Sequence, residues 1–282
     1  MNKLFIKAAL SFLLVFISIS SVQSQPKLII QLSGGLALPM DQTKGNFSGM
    51  YVGYNTTGID TSFLKSNMGA DIGFAFNGAL KFGIDKYGIT RGILTASFNS
   101  FFNNASGYLN ENGYLFPAKY DWNLNFANFG AGLEVAPLSK YKFTPFVNAA
   151  FVVTVMSANL RAQSSSIPDE TNWLETVRLG VSGNAGIEIK TSKNFGIVVG
   201  ANYTIHNLLF KDNDNFNHAN FGKNEIGFND KGGLYFSNMY EGGFSKPYVG
   251  SEKKLTSVSF YAGITLYMDM NKKTPPKTTT KK

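Results

Sequence analysis

His206 and His218 are the only imidazoles in the chain, and therefore its candidates for general-base work near neutral pH. His206 ends the stretch FGIVVGANYTIH, and His218 lies within KDNDNFNHANFGKNE. In that second stretch Asp212 and Asp214 have the spacing that opens a calcium-binding loop of the EF-hand kind. Phe216 and Lys223 stand where such a loop needs an oxygen ligand and its closing glutamate, so a solvated Asn-rich loop is expected instead. The chain has no cysteine, which removes disulfides, thiolate metal sites and thiol redox chemistry. No glycine-rich phosphate loop runs from a strand into a helix. Neither a cofactor nor a metal is expected. The ionisable residues that follow a pattern are Lys81, Arg91, Glu134, Glu188, Lys190, Asp71 and Arg178, and the elements that carry them decide what they can do.

The clearest element is VRLGVSGNAGIEIK, residues 177–190. Val177, Leu179, Val181, Gly183, Ala185, Ile187 and Ile189 alternate with Arg178, Gly180, Ser182, Asn184, Gly186, Glu188 and Lys190. A side-chain period of two over this length is a β-strand with one apolar and one polar face. The same alternation predicts strands over about Lys27–Leu38, Gly69–Ile84, Thr90–Phe101, Asp121–Val135, Phe143–Met156, Phe195–His206 and Leu255–Met268. In the fourth of these, Leu124 and Phe126 fall on the parity opposite to Phe129 and Leu133, which predicts a bulge near Ala127. Pro145 warns against a fully paired position in the fifth. The expected connections alternate in length. DKYG, APLSKYK and TSKN are short, whereas 39–68, 102–120, 157–173 and 207–254 are long. Segregated loops and an even strand number describe an up-and-down barrel whose termini share the short-turn side, and an outer-membrane barrel turns its apolar face outward.

On QLSGGLALP, FTPFVNAAF, FGIVVGANYTI and SVSFYAGITLYM, the chain resembles the bacterial outer-membrane protein β-barrel domains of the small OmpA/OmpX-like type, over about residues 26–268. The resemblance implies an all-β, eight-stranded antiparallel transmembrane barrel with periplasmic termini. It also implies a cell outer-membrane location, with outer-membrane lipid and the barrel-assembly machinery as partners. Some eight-stranded outer-membrane barrels of this kind act on lipid A, and larger ones are proteases. Here Asn207 and Leu208 follow His206, so the His-x-Ser arrangement of the lipid A deacylases is absent and no enzymatic role is expected.

Inside such a barrel, parity places Lys81, Arg91, Glu134, Glu188 and Lys190 near the short turns. Asp71 and Arg178 should lie inside nearer the long loops. Eight strands leave little free lumen, so an internal salt-bridge plug is preferred to a path lined by these charges. The glycines of the inner face make room for Tyr261, Tyr267 and the charged chains. Tyr87, Tyr141, Phe143 and Phe195 on one side, with Phe74, Phe98, Phe101, Tyr120, Trp122, Tyr203 and Phe260 on the other, suggest two interfacial girdles. The role expected is structural or interactive, through long loops meeting an extracellular partner. The alternative is a narrow passive, porin-like channel for small solutes.

The ends agree with this location. Residues 1–24 read as a signal peptide, with Lys3 and Lys7 before an apolar run and small residues before Gln25. The barrel domain is expected over 25–269, and 270–282 form a Lys/Thr/Pro-rich periplasmic tail expected to be disordered. The formal charge of +8 is carried mainly by these ends: two lysines lie in the signal and five in the tail. Almost no net charge remains for the domain, so no nucleic-acid face is expected.

Overall fold

The computed structural model describes residues 27–45, 51–53, 67–85, 87–111, 114–139, 141–164, 170–211, 226–227, 230, 235–236 and 252–269. The expected signal peptide, Asp212, Asp214 and His218 of the Asn-rich stretch, and the tail all lie outside the described residues. Eight long strands carry the chain: β1 (Lys27–Asp41), β2 (Gly73–Gly83), β3 (Thr90–Glu111), β4 (Tyr114–Val135), β5 (Phe143–Ser164), β6 (Glu170–Lys190), β7 (Phe195–Leu209) and β8 (Leu255–Asp269). Each pairs antiparallel with the next, and β8 returns to β1, so the sheet closes as an eight-stranded up-and-down barrel. Closure leaves no free edge around the ring. Lys27 lies opposite Asp269 in the register, so the chain enters and leaves the barrel at one end.

The barrel is inside-out by the standard of a water-soluble core. Outward side chains are large, apolar and exposed all the way round, among them Leu36 on β1, Phe76 on β2, Phe98 on β3, Phe129 on β4, Phe151 on β5, Ile187 on β6, Ile197 on β7 and Phe260 on β8. This belt has edges. On β4 it runs from Val135 to Ala127 and gives way to Asn125, Asn123 and Asp121; on β5 it runs from Phe143 to Val155 and gives way to Ser157, Asn159 and Arg161. In the stretch that opened the strand pattern, Arg178 and Glu188 are buried in the lumen while Val177, Ala185 and Ile187 are exposed outside. Pro145 sits on β5 beyond the last β4 partner, Val147, so the N–H it lacks is not needed by that ladder.

Four expectations are corrected. First, there is no bulge near Ala127: β4 keeps unbroken register with both neighbours. Trp122, Leu124 and Phe126 instead point inward and are buried, because the upper lumen is filled by apolar side chains rather than charges. The bulge lies in β7, where Leu179↔Leu209 is followed by Val181↔Ile205, so that consecutive His206 and Asn207 both face inward. Gly180 stands opposite, where a Cβ would fall 2.1 Å from the Ile205 carbonyl oxygen. Second, 102–120 and 157–173 are not long loops. β3, β4, β5 and β6 continue past the belt as paired ladder, with Asn104, Ser106, Lys119, Asp121, Arg161 and Glu175 exposed, because backbone pairing satisfies their N–H and C=O groups without an apolar surface. Third, Phe101, Tyr120 and Trp122 belong to the interior rather than to a girdle, and each is at most 1% exposed. Fourth, Asp71 is exposed just ahead of β2, where its carboxylate accepts the Ile72 N–H at 2.8 Å.

Candidate functional site: the lumen

Close to the short turns, four charges from four strands meet inside the ring. Lys81 Nζ lies 2.9 Å from Glu134 Oε2 and 2.7 Å from Glu188 Oε1, and Arg91 Nη1 lies 2.8 Å from Glu134 Oε1 and 3.0 Å from Glu188 Oε1. None of the four side chains is more than 3% exposed. Lys81 on β2 and Glu188 on β6 stand across the barrel from each other, so their bond spans the lumen. Asn148 Nδ2 donates to Glu134 Oε2 at 3.1 Å, and the Lys81 ammonium sits 4.1 Å over the Phe146 ring. Two cations and two carboxylates cancel, and every carboxylate oxygen has a donor. That is the condition under which buried charges are tolerable. Of the other expected lumen charges, Lys190 lies at the rim, where its ammonium donates to the Ser139 carbonyl. Arg178 is at the opposite end, and Asp71 is outside.

The inner-face glycines give these chains room. A Cβ on Gly200 would approach the Tyr261 hydroxyl to 2.5 Å, and one on Gly186 would approach the Phe146 ring to 2.7 Å. Tyr261 is buried, and its hydroxyl reaches over Gly200 of β7 to donate to Asn184 on β6 at 2.7 Å. Above the charges, Gln31, Asn77, Thr95, Ser97, Asn184, Asn202 and Thr204 help line a polar chamber of about 30 Å³. Gln31 Oε1 and Asn77 Nδ2 have no protein partner. The space suits about two waters.

The next inward residue after Thr204 of the chamber wall, toward the long loops, is His206. Its Nδ1 lies 3.0 Å from Asn128 Oδ1, its Nε2 lies 2.8 Å from Ser257 Oγ, and its ring stacks on Phe126 at 4.0 Å. Asn128 Oδ1 also accepts from Thr154 Oγ1 at 2.7 Å, and Asn128 Nδ2 donates to Ser97 at 3.0 Å. An amide oxygen can only accept, so Nδ1 carries the proton and Nε2 accepts from Ser257. Hydroxyl, imidazole and amide thus stand in the order of a nucleophile, base and orienting group. Ser257 and Asn128 are 2% exposed and His206 is 0% exposed, so the Ser257 oxygen is closed off from any substrate carbonyl. Here the arrangement satisfies buried polar groups. Phe101, Leu124, Trp122 and Met156 fill the next layer, and Trp122 Nε1 donates to the Met68 carbonyl at 2.8 Å.

The long-loop mouth is closed by Asp230. Arg178 donates to its carboxylate through Nη2 at 2.6 Å and Nε at 2.8 Å, and Asn207 Nδ2 donates to its other oxygen at 2.6 Å. Lys253 is buried beside it, and its backbone N–H donates to the Asp230 carbonyl at 2.7 Å. Burial pushes the Lys253 ammonium down to about 8, with the Asp230 carboxylate working in the opposite direction. Asp230→Asn should raise the rate of limited proteolysis between residues 211 and 252 roughly tenfold or more, since it leaves buried Arg178 unpaired. In the unsubstituted chain the closed mouth binds fewer protons than the opened one, so protection should increase as pH rises from about 8 toward 10. Unchanged cleavage in the variant would show that Asp230 does not hold the mouth.

Asn128, Asn148, Ser257, Asp230 and Lys253 were not among the residues expected to build the lumen. The first three lie on inward parity and could have been found by extending the alternation to uncharged polar residues. Asp230 lies in a connection with no period to reveal it.

No protein-family model matches this chain, and no curated protein matches it. Among solved structures, it is similar to the Neisserial surface protein A (NspA) at 11% identity and a TM-score of 0.41, over 85% of this chain and 96% of that one. It is also similar to Ail, the attachment invasion locus protein of Yersinia pestis. In complex with the heparin analogue sucrose octasulfate, Ail matches at 10% identity and a TM-score of 0.37 over 86% of this chain and 99% of that one. A further Ail structure gives 10% identity and a TM-score of 0.31, over 87% and 99%. At these scores the superpositions are loose, and the eight-stranded barrel rests on its own closed ladder of strand pairs.

Proposed function

We propose that the chain is an integral outer-membrane barrel, sealed by its own side chains, that serves as a structural and surface-interaction protein through its long-loop end. The observation that carries this reading is the belt. A closed ring of exposed Leu, Phe, Ile and Val, bounded by polar residues on β4 and β5, surrounds a lumen that holds the buried charges. Water would penalise so large an apolar surface, whereas lipid requires it. On β4 and β5 the belt is close to the ~9–11 residues with which a tilted strand crosses a bilayer core. Outer-membrane lipid and the barrel-assembly machinery are then its partners, with both termini in the periplasm. The charge quartet, the His206 layer and the Asp230 closure oppose the narrow-channel reading, since each fills the cross-section through which a solute would pass. No catalytic role is proposed: among the described residues, the Ser257 hydroxyl that lies beside His206 is buried.

Gel migration and planar-bilayer recording of the full chain test the two halves separately. The folded protein should migrate differently before and after boiling, and it should give no regular single-channel steps. Identical migration of a protein found in the soluble periplasm would overturn the membrane reading, and steady conductance steps would overturn the seal.

A further inference from the structure

Where the belt ends on β4 and β5, four polar side chains form a block on the outer face. Asn125 stands opposite Ser157 in the register and Asn123 opposite Asn159, and all four are half-buried. Strand spacing and pleat make the block roughly 5 Å by 7 Å, about the footprint of one sugar ring. Its donors are set by a neighbour on β3. Ser100 faces outward yet is 2% exposed, and its Oγ donates to Asn125 Oδ1 at 2.6 Å and lies 3.3 Å from Asn123 Oδ1. With both amide oxygens turned to Ser100, the two Nδ2 groups are left to donate elsewhere. Among the described residues neither Nδ2 meets a protein acceptor, and the Ser157 and Asn159 side chains have no protein partner.

Beside the block, on β2 and β3, the belt ends in aromatic rings. Phe102 stands opposite Asn123 in the register. Phe74 packs against Phe102, Phe98 and Phe76, with ring centroids 5.6, 6.3 and 5.5 Å apart, and each of the four rings is exposed. An apolar step therefore adjoins a row of unsatisfied amides and hydroxyls at the long-loop edge of the belt. Charge near the block selects against an anion. Asp121 and Arg161 stand opposite each other in the next row and cancel, while Glu175 is exposed next to Ser157 in the register. A phosphate ester would meet that carboxylate. Sugar hydroxyls, which both donate and accept, match amides and hydroxyls of no formal charge.

We propose that this step binds a glycolipid of the leaflet nearest the long loops, with its acyl chains against Phe74, Phe98 and Phe102 and an uncharged sugar ring on Asn123, Asn125, Ser157 and Asn159. The site rests on the membrane reading. It gives that reading a lipid preference on one side of the barrel.

The test uses the full chain, folded in detergent micelles and titrated with monogalactosyl diacylglycerol or with diacylglycerol of the same acyl chains, with bound lipid read by native mass spectrometry. The unsubstituted protein should retain the galactosyl lipid about tenfold better, as two hydrogen bonds of ordinary net strength give. N123A/N159A should erase that preference, and Phe102→Ala should weaken both lipids, with the boiled-against-unboiled gel shift unchanged. Equal retention of the two lipids by the unsubstituted protein, or a preference that survives N123A/N159A, would overturn the site. So would release of the galactosyl lipid by millimolar methyl galactoside, which would mark a free-sugar site. Loss of the gel shift in the unsubstituted protein would count against the membrane reading itself.

Discussion

Glu188→Gln is expected to lower the stability of the folded barrel by about 3–5 kcal/mol, the usual cost of stranding a buried charge by removing its partner. Lys81 and Arg91 both lean on this carboxylate, at 2.7 and 3.0 Å, and Glu134 alone cannot neutralise two cations. The double variant K81M/E188M removes one charge of each sign and leaves Arg91 with Glu134, at 2.8 Å. It should therefore recover most of the loss, because methionines of similar length refill the volume without a desolvation penalty. Urea unfolding in vesicles, followed by the gel shift, would measure both. A Glu188→Gln barrel within about 1 kcal/mol of the unsubstituted protein would mean that water reaches the quartet and replaces the missing partner. The lumen would then be wet at its charged layer, and the seal would have to reside in the layers from His206 and Phe126 up to Asp230.

The second large effect is expected on the outer wall. Phe151 is 74% exposed at the centre of the β5 belt. If that face met water, Phe151→Arg would change stability by less than about 0.5 kcal/mol, as exposed substitutions usually do. Against lipid the same change should cost about 2–4 kcal/mol, because a guanidinium near the bilayer midplane has lost its hydration. Asn159→Arg, on the same outward face beyond the belt and next to the natural Arg161, should cost almost nothing. The contrast between the two variants depends on depth along one strand, so a uniform response would contradict the belt.

How much of this was legible in the sequence follows from where a strand's period is set. Alternation in Val177–Lys190 is imposed by the pleat, and it separates Glu188 and Arg178 from Ile187 and Val177 in the sequence itself. Parity also placed Lys81, Arg91, Glu134 and Glu188 on inner faces of strands that meet around one lumen. It could not say which interior layer is charged and which is apolar. Leu124 and Phe126 therefore read as a bulge, and Trp122 as a girdle residue, when all three are the filling of the upper lumen. The polar outer residues Asn104 and Ser106, and Ser157, Asn159 and Arg161, looked like loop, because a ladder above the belt needs only backbone pairing. The β7 bulge at His206 and Asn207 left its one trace in Gly180, on a different strand. Asp230 was invisible because its contact with Arg178 joins an aperiodic connection to a strand 52 residues away.

The measurement that bears most directly on the inside-out arrangement takes advantage of the absence of cysteine from the chain. Single cysteines at Gly183, Ala185 and Ile187 of β6, and at Val147, Ala149 and Phe151 of β5, can each carry one spin label in barrels folded into vesicles. Every one of these positions is outward and exposed. Dissolved oxygen, concentrated in hydrocarbon, should relax all six labels more strongly than a water-soluble nickel chelate does. Stronger relaxation by the chelate at these six positions would place the belt in water and overturn the inside-out barrel.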